Sequence, residues 1–281
     1  MSGKSSVTVI VLNWNGRELL EDCLGSLEKV DYNNFNVLVV DNGSTDKSVN
    51  YIKTTFPSVD VIELGENLGY AAGNNAGFKH AVLAYNMEYV IFLNNDTIVE
   101  ENFIEPLLVP FRNNNVGQTI PKIFYAGEKN KIWYAGGRVN LWTGNIYHEG
   151  IREIDSERFN KIKNTDYATG CCFCIKTSDF EKLNGFDESF KMYGEDVDLS
   201  IRVRNIGRII LLAPNSKIWH KVSASIGGEF SFKKILRKYK SLLKLYYLHS
   251  NIIQWMTSII FSPFLVLTNI IKYFRLRFYN K

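Results

Sequence analysis

No acidic residue occurs after residue 230. The last fifty-one positions hold ten lysines or arginines (Lys233, Lys234, Arg237, Lys238, Lys240, Lys244, Lys272, Arg275, Arg277 and Lys281). Setting those ten against the net charge of +4 leaves −6 on residues 1 to 230. A basic tail on an acidic body points to an anionic partner, membrane or nucleic acid, and the tail's apolar content decides for membrane. Cysteine is scarce. Three of the four sit in Gly170-Cys171-Cys172-Phe173-Cys174-Ile175, which has neither zinc-knuckle spacing nor the pattern of a secreted disulfide framework. They read as small hydrophobes of a buried strand in a reducing compartment. A hydrophobic leader is also missing, since Met1 to Ser6 is polar and runs straight into a strand; no signal peptide is expected, and the catalytic part is expected in the cytoplasm. There is no internal repeat or low-complexity segment. The first strand runs into Asn13-Trp14-Asn15-Gly16-Arg17 and not into a glycine-rich dinucleotide loop, which disfavours a nicotinamide enzyme.

What is present is a regular alternation of short apolar runs and amphipathic segments. Strands are expected at Val7 to Leu12, Asn36 to Val40, Val59 to Leu64 and Tyr89 to Leu93. Helices are expected at Arg17 to Lys29, Lys47 to Phe56 and Tyr70 to Tyr85. This predicts an α/β fold, a doubly wound and mostly parallel sheet with helices on both faces. Past residue 100 a helix is expected at Glu101 to Phe111, then irregular structure through Tyr147 that forms loops and short antiparallel strands over a site, or is filler. Regular signals return as a strand at Tyr167 to Ile175, helices at Thr177 to Leu183 and Glu195 to Asn205, and a strand at Arg208 to Leu212. With 281 residues and 46% hydrophobic content, one large core plus an appendage is expected: a catalytic domain over 1–230 and a helical extension over 231–281.

Several strand ends carry chemistry-bearing groups. Asp96 follows the run Tyr89 to Leu93, where open α/β sheets bind their ligands; the alternative is an Asx turn with Thr97 as a helix cap. Asp41 ends the second strand before Asn42-Gly43-Ser44-Thr45-Asp46. It suits a ribose or base contact, unless the turn is only a helix entry capped by Ser44 or Thr45. The glycines between Gly65 and Gly77 suit a phosphate-bearing ligand or tight packing of a helix on the sheet. Five carboxylates gather in Phe186-Asp187-Glu188 and Tyr193-Gly194-Glu195-Asp196-Val197-Asp198. The helix dipole accounts for one or two, and one of the Glu195–Asp196 pair suits a general base. His220, expected after the last strand, is either structural or the nitrogen partner of Asp96 in a metal site.

Taken in this order, these segments resemble the family-two inverting glycosyltransferases of GT-A fold, in particular the rhamnosyltransferase-like branch that builds bacterial surface polysaccharides. The resemblance runs from Val7 to about Ser225. It rests on Val9 to Asn15, Val40 to Asp46, Asn67-Leu68-Gly69-Tyr70 with Gly73-Asn74-Asn75, Leu93 to Thr97, Gly185 to Glu188, and Tyr193 to Asp198. It implies transfer of a sugar from a nucleoside-diphosphate donor, dTDP-rhamnose or a UDP-sugar, to a hydroxyl of a glycan or lipid-linked acceptor. Asp41 would hold the nucleoside, and Asn13, Asn15, Asn67, Gly69, Asn75 and Asn95 would line the donor site. Asp96 would bind Mg²⁺ or Mn²⁺ with His220 and Asn94; the family's acid is replaced at Asn94 by an amide that offers an oxygen but no charge. Asp196 would be the base, with Glu195 beside it.

From Leu245 to Ile271 no charged residue occurs, long enough to span a bilayer, yet Gln254, Ser262-Pro263 and Asn269 interrupt it and basic residues flank both ends. The expected arrangement is two short helices broken near Pro263 and lying in the cytoplasmic membrane interface, which makes the protein peripheral on the inner face of the cell membrane. A dimerisation helix or a docked core helix is the alternative. Two other functions compete with sugar transfer: a nucleotidyltransferase, which needs a basic group in the first loop where only Arg17 is available, and an inactive nucleotide-sugar-binding module.

Overall fold

The computed structural model describes residues 4–190, 192–222 and 232–261. Its first half alternates β1 (Val7–Asn13), α1 (Arg17–Leu27), β2 (Phe35–Asp41), α2 (Ser48–Thr55), β3 (Asp60–Glu63), α3 (Gly69–Ala84) and β4 (Tyr89–Asn94). β1 and β4 are nearly continuous aliphatic or β-branched runs, the composition of strands covered on both faces. They pair in parallel, with β2 on the other side of β1 and β3 outside β2. α3 reaches the sheet closely because of two glycines. A Cβ on Gly77 would sit 2.4 Å from Val40 Cγ2, and one on Gly73 2.6 Å from Leu12 Cδ1. These two glycines therefore serve packing, and not a ligand.

The second half departs from a wholly parallel plan. It contributes β5 (Thr97–Val99), α4 (Ile104–Leu108), β6 (Val116–Tyr125), β7 (Glu128–Tyr134), β8 (Gly137–Asn140), β9 (Asn145–His148), β10 (Lys163–Thr165), β11 (Cys172–Lys176), α5 (Thr177–Lys182), α6 (Glu195–Asn205), β12 (Ile209–His220) and α7 (Phe232–His249). The main sheet runs β10-β12-β6-β11-β4-β1-β2-β3, and β11 enters antiparallel between β4 and β6. β5 and β7 pair antiparallel with β12 and β6, and β8–β9 form a separate hairpin. The sheet thus changes direction beside the end of β4.

Several boundaries differ from expectation for local reasons. The helix expected at Glu101 to Phe111 shrinks to α4 and a 3₁₀ turn at Val109–Arg112, because Pro110 has no N–H to continue the α ladder. The strand expected to start at Tyr167 starts at Cys172. The strand expected to stop at Leu212 continues to His220, because Pro214 falls within the register shift between Ala213 and Lys217, where a missing donor costs no ladder bond. Thr97 opens a strand and caps no helix; its Oγ1 donates to the Asn94 carbonyl at 2.7 Å.

All four cysteines are buried and free. α7 docks on the body: Leu245 and Tyr246 are buried, the Tyr246 hydroxyl donates to Leu141 O at 2.7 Å, and His249 Nε2 lies 2.7 Å from Asp198 Oδ1. The break after α7 falls at Ser250–Asn251, with a further helix over residues 252–261. The expected break at Pro263 lies outside the described residues. Among them, no helix is long and apolar enough to cross a membrane.

Candidate active site

The loops after β1, β2 and β4 are tied together by one buried amide. Asn13 is fully buried, and its Nδ2 donates to Asp41 Oδ1 and Ser44 Oγ, both at 3.2 Å, while its Oδ1 accepts from Asn95 Nδ2 at 2.8 Å. Gly16 is required here, since a Cβ would lie 2.2 Å from Asn95 Nδ2. Asp41 also accepts from the Ser44 N–H at 2.9 Å, so its carboxylate is fixed at the floor of the β1–β2 crevice. Asn15 Oδ1 accepts from the Thr45 N–H at 2.7 Å. Ser44 and Thr45 therefore brace the loops; α2 begins only at Ser48, so neither is its cap. Asn67 Oδ1 caps the Gly69 N–H at 2.9 Å and accepts from Asn42 Nδ2, leaving Asn67 exposed at the crevice rim.

Two expected donor contacts have their amide hydrogens engaged within the protein. Asn13 orients Asp41 and has both amide hydrogens committed. Asn75 is buried with Nδ2 donating to Phe186 O at 2.9 Å and Glu188 Oε1 at 3.0 Å, and its Oδ1 accepts from the Phe186 N–H at 2.9 Å. It clamps the loop before α6 and has no amide hydrogen left for a ligand.

Strand pairing brings Asp96 to His220. β5 lies against β12 with Thr97 opposite His220, and the Lys221 N–H donates to Asp96 O at 2.8 Å. His220 Nε2 is 3.1 Å from Asp96 Oδ1, yet that buried oxygen and His220 Nδ1 receive no aligned hydrogen bond. A buried carboxylate oxygen facing an imidazole nitrogen without a donor fits a divalent cation. Among the described residues no cluster of three or more His, Cys, Asp or Glu surrounds it, so the protein offers a pair of ligands, the number that leaves room for substrate phosphates and water. Asn94 ends β4 half-buried. Its carbonyl accepts from Thr97, and its side chain makes no hydrogen bond. Trp133, to which no motif assigns a role, packs edge-on against His220 at 4.5 Å and against His148 at 4.6 Å. Burial pushes the His148 imidazole down to about 4, so it stays neutral beside His220.

The Glu195–Asp196 pair opens α6, entered through Gly194 at φ +89°. Asp196 Oδ2 accepts from the Gly170 N–H at 2.9 Å and Oδ1 from the Val197 N–H at 2.8 Å. Gly170 precedes Cys171, whose carbonyl accepts from the Asn94 N–H at 2.9 Å, so the base candidate is anchored one residue from the strand that delivers Asp96. Nothing in the sequence marked Gly170 for this part beyond its place before the cysteine run. Burial raises the Asp196 carboxyl against the pull of its N–H donors. Burial first, and then the charge of Asp196, push Glu195 up to about 8; its buried Oε2 has no partner. Both carboxyls are raised, and Glu195, pushed up to about 8, holds a proton at neutral pH beside Asp196.

That division affects stability. The folded-state pKa of Glu195 lies above its ordinary 4.5, so the folded chain keeps a proton that the unfolded chain releases, and stability falls as pH rises from about 4.5 to about 8. Glu195→Gln is expected to melt at a higher temperature than the parent at pH 8, with the gap closing below about pH 4.5. A heat-denaturation series across that window checks it; a gap that does not change with pH refutes the assignment.

A cavity of about 1240 Å³ lies elsewhere, between the β8–β9 hairpin, the end of α6 and the end of α7, and none of the candidate residues lines it. The strand ends, and not that hollow, gather the chemistry-bearing groups.

Comparison with known proteins bears on the family and the fold. The model described as glycosyl transferase family 2 matches residues 8–183, and one described as the N-terminal domain of galactosyltransferase matches residues 152–221. Similar proteins include the low-salt glycan biosynthesis hexosyltransferase Agl10 of Haloferax volcanii, 25% identical over 72% of this chain and 64% of that protein. Another is the N-acetylglucosaminyl-diphospho-decaprenol L-rhamnosyltransferase of Mycobacterium tuberculosis H37Rv, 26% identical over 79% of this chain and 78% of its own length. The crystal structure of GalNAc-T7 with UDP, GalNAc and Mn²⁺ superposes with a TM-score of 0.67 at 18% identity, covering 88% of this chain and 48% of that one; the shared fold is GT-A. The chain thus spans under two thirds of the length of Agl10 and about half of GalNAc-T7. With the family model matched over residues 8–183, more than half of its length, the chain belongs to glycosyl transferase family 2.

Proposed function

We propose that the protein transfers a sugar, with inversion, from a nucleoside-diphosphate donor to a hydroxyl of a glycan or lipid-linked acceptor in surface polysaccharide synthesis. The observation that carries this reading is the anchoring of two acidic sites to one strand end: the Asp96–His220 pair beyond β4, and Asp196 pinned to Gly170 beside Asn94. Asp41 and the exposed rim of Asn15 and Asn67 would hold the nucleoside. Asp96 and His220 would hold Mg²⁺ or Mn²⁺, which supplies charge neutralisation for the departing diphosphate when bound. Asp196, steadied by two N–H donors, retains lone pairs in its carboxylate form to accept the proton of the attacking hydroxyl. Glu195 stays protonated and so spares Asp196 a second charge. Attack from the face opposite the diphosphate inverts the anomeric centre.

A rhamnosyl donor and a polyprenyl-diphosphate-linked acceptor are the first choices, supported by the names of the rhamnosyltransferase relatives, and dTDP as its nucleotide follows from the family resemblance alone. The nucleotidyl alternative is disfavoured because the Arg17 guanidinium, its one basic group, stacks on Tyr51 at 4.8 Å. The test is hydrolysis or transfer from a panel of labelled dTDP-, UDP- and GDP-sugars with and without Mn²⁺. Metal-dependent release of free sugar or glycoside is expected; pyrophosphate release, or no turnover of any donor, overturns the reading.

A further inference from the structure

The helix over residues 252–261 is turned inside out. Ile252, Ile253, Met256 and Ile260 recur at the spacing of a single helical stripe and are between 57% and 73% exposed. The side towards the protein instead carries Trp255, tilted against Tyr246 at 5.3 Å, and the buried Ser258, whose hydroxyl donates to the Trp255 carbonyl at 2.8 Å. A surface helix ordinarily buries its apolar stripe, so this one is laid out for a partner.

α7 precedes this helix across the break at Ser250–Asn251 and contacts it through Tyr246 and Trp255. α7 itself is fixed to the catalytic body by Leu245, Tyr246 and His249, and by Ser241, whose hydroxyl donates to Met192 O at 3.2 Å. With that side committed, Lys240, Leu243 and Tyr247, three and four residues apart, form an outward face, and Tyr247 is 80% exposed. Arg237 and Lys238 are exposed one turn earlier, at the border of that face, where they lean on Met192 and the Tyr193 ring. The surface is therefore aliphatic at its centre, aromatic at its border and cationic at its edge.

We infer that this surface seats the enzyme on an anionic bilayer leaflet, with the isoleucines and Met256 entering the acyl boundary and Arg237, Lys238 and Lys240 meeting the lipid headgroups. Charge selects this occupant. Residues 231–281 contain no acid, and the part after 261 adds Lys272, Arg275, Arg277 and Lys281. A second copy, or the chain's own end laid over the stripe, would bring like charges together; an anionic leaflet complements them. Tyrosine at the border suits the headgroup layer, where an amphipathic ring is half apolar and half wet.

The full chain should be sedimented with vesicles of phosphatidylcholine alone and of phosphatidylcholine mixed with phosphatidylglycerol, without any sugar nucleotide, so that the outcome is independent of the proposed transfer activity. Binding at least about tenfold tighter to the mixed vesicles is expected. Ile252→Glu combined with Ile260→Glu should weaken it by about tenfold or more, and Lys240→Glu combined with Arg237→Glu should remove the preference for the anionic lipid. These positions are exposed, so an unchanged thermal transition serves as the folding control. No binding to either vesicle, or binding unaffected by the glutamates, overturns the inference. So does a parent dimer that the two isoleucine substitutions convert to monomer in the absence of lipid.

Discussion

Asp196→Asn is expected to lower turnover by about a hundredfold or more while leaving donor binding nearly unchanged, because a positioned general base contributes roughly 10² to 10⁴ to rate. The substitution is close to isosteric. Its amide oxygen can still accept from the Gly170 or Val197 N–H, which lie 2.9 and 2.8 Å from the carboxylate oxygens, so the start of α6 should persist. What disappears is the capacity to take a proton. The measurement is a pair of titrations: steady-state transfer for kcat, and donor-induced thermal shift for binding. The acid limb of the parent's pH profile should report a group titrating above the ordinary aspartate range, since burial raises Asp196. The same limb should vanish from the residual activity of the variant. If Asp196→Asn turns over like the parent, Asp196 is a structural helix-start acid and the base lies elsewhere.

The second large effect is expected at Asp96. Its Oδ1 is buried, faces His220 Nε2 at 3.1 Å and receives no aligned donor, so as a plain ion pair it is poorly satisfied. With a cation and a diphosphate present, that oxygen gains the partner it lacks. In the parent, donor at a hundred times its dissociation constant stabilises by about 2.7 kcal/mol, a rise of roughly 5 °C for a chain of this size. Asp96→Asn is expected to abolish the part of that rise that depends on Mn²⁺ and to lower kcat/KM by about a hundredfold or more, since Lewis-acid stabilisation of the leaving group supplies several kcal/mol. His220→Ala should do the same to a lesser degree. A purely structural pair behaves differently: both variants would melt early and still show the parent's metal-dependent donor shift.

These two experiments probe different links of one design. Asp196 reaches the site through the hydrogen bond of Gly170, and Asp96 through the β5–β12 ladder. Loss of one should leave the other's signature intact. Asp196→Asn should keep the metal-dependent shift, and Asp96→Asn should keep the high pKa of Glu195, which depends on burial and on Asp196.

The amino-acid sequence by itself determined the parallel half of the sheet, because β1, β2 and β4 are runs of aliphatic and β-branched residues long enough to be buried on both faces, and it placed Asp41 and Asp96 at the ends of two of them. It also determined the carboxylate pair at the start of α6, where Gly194 and the helix dipole leave little choice. Tertiary structure alone decided the rest. Pro214 hides the true length of β12 because only pairing with β6 reveals the register shift that accommodates it, and without that length His220 does not meet Asp96. Asn13 and Asn75 have the composition of ligand contacts, but their hydrogens are taken by Asp41, Ser44, Phe186 and Glu188, partners far away along the chain. A residue type fixes how many hydrogen bonds a group can make; which neighbours claim them is settled only when distant strands and loops close around it.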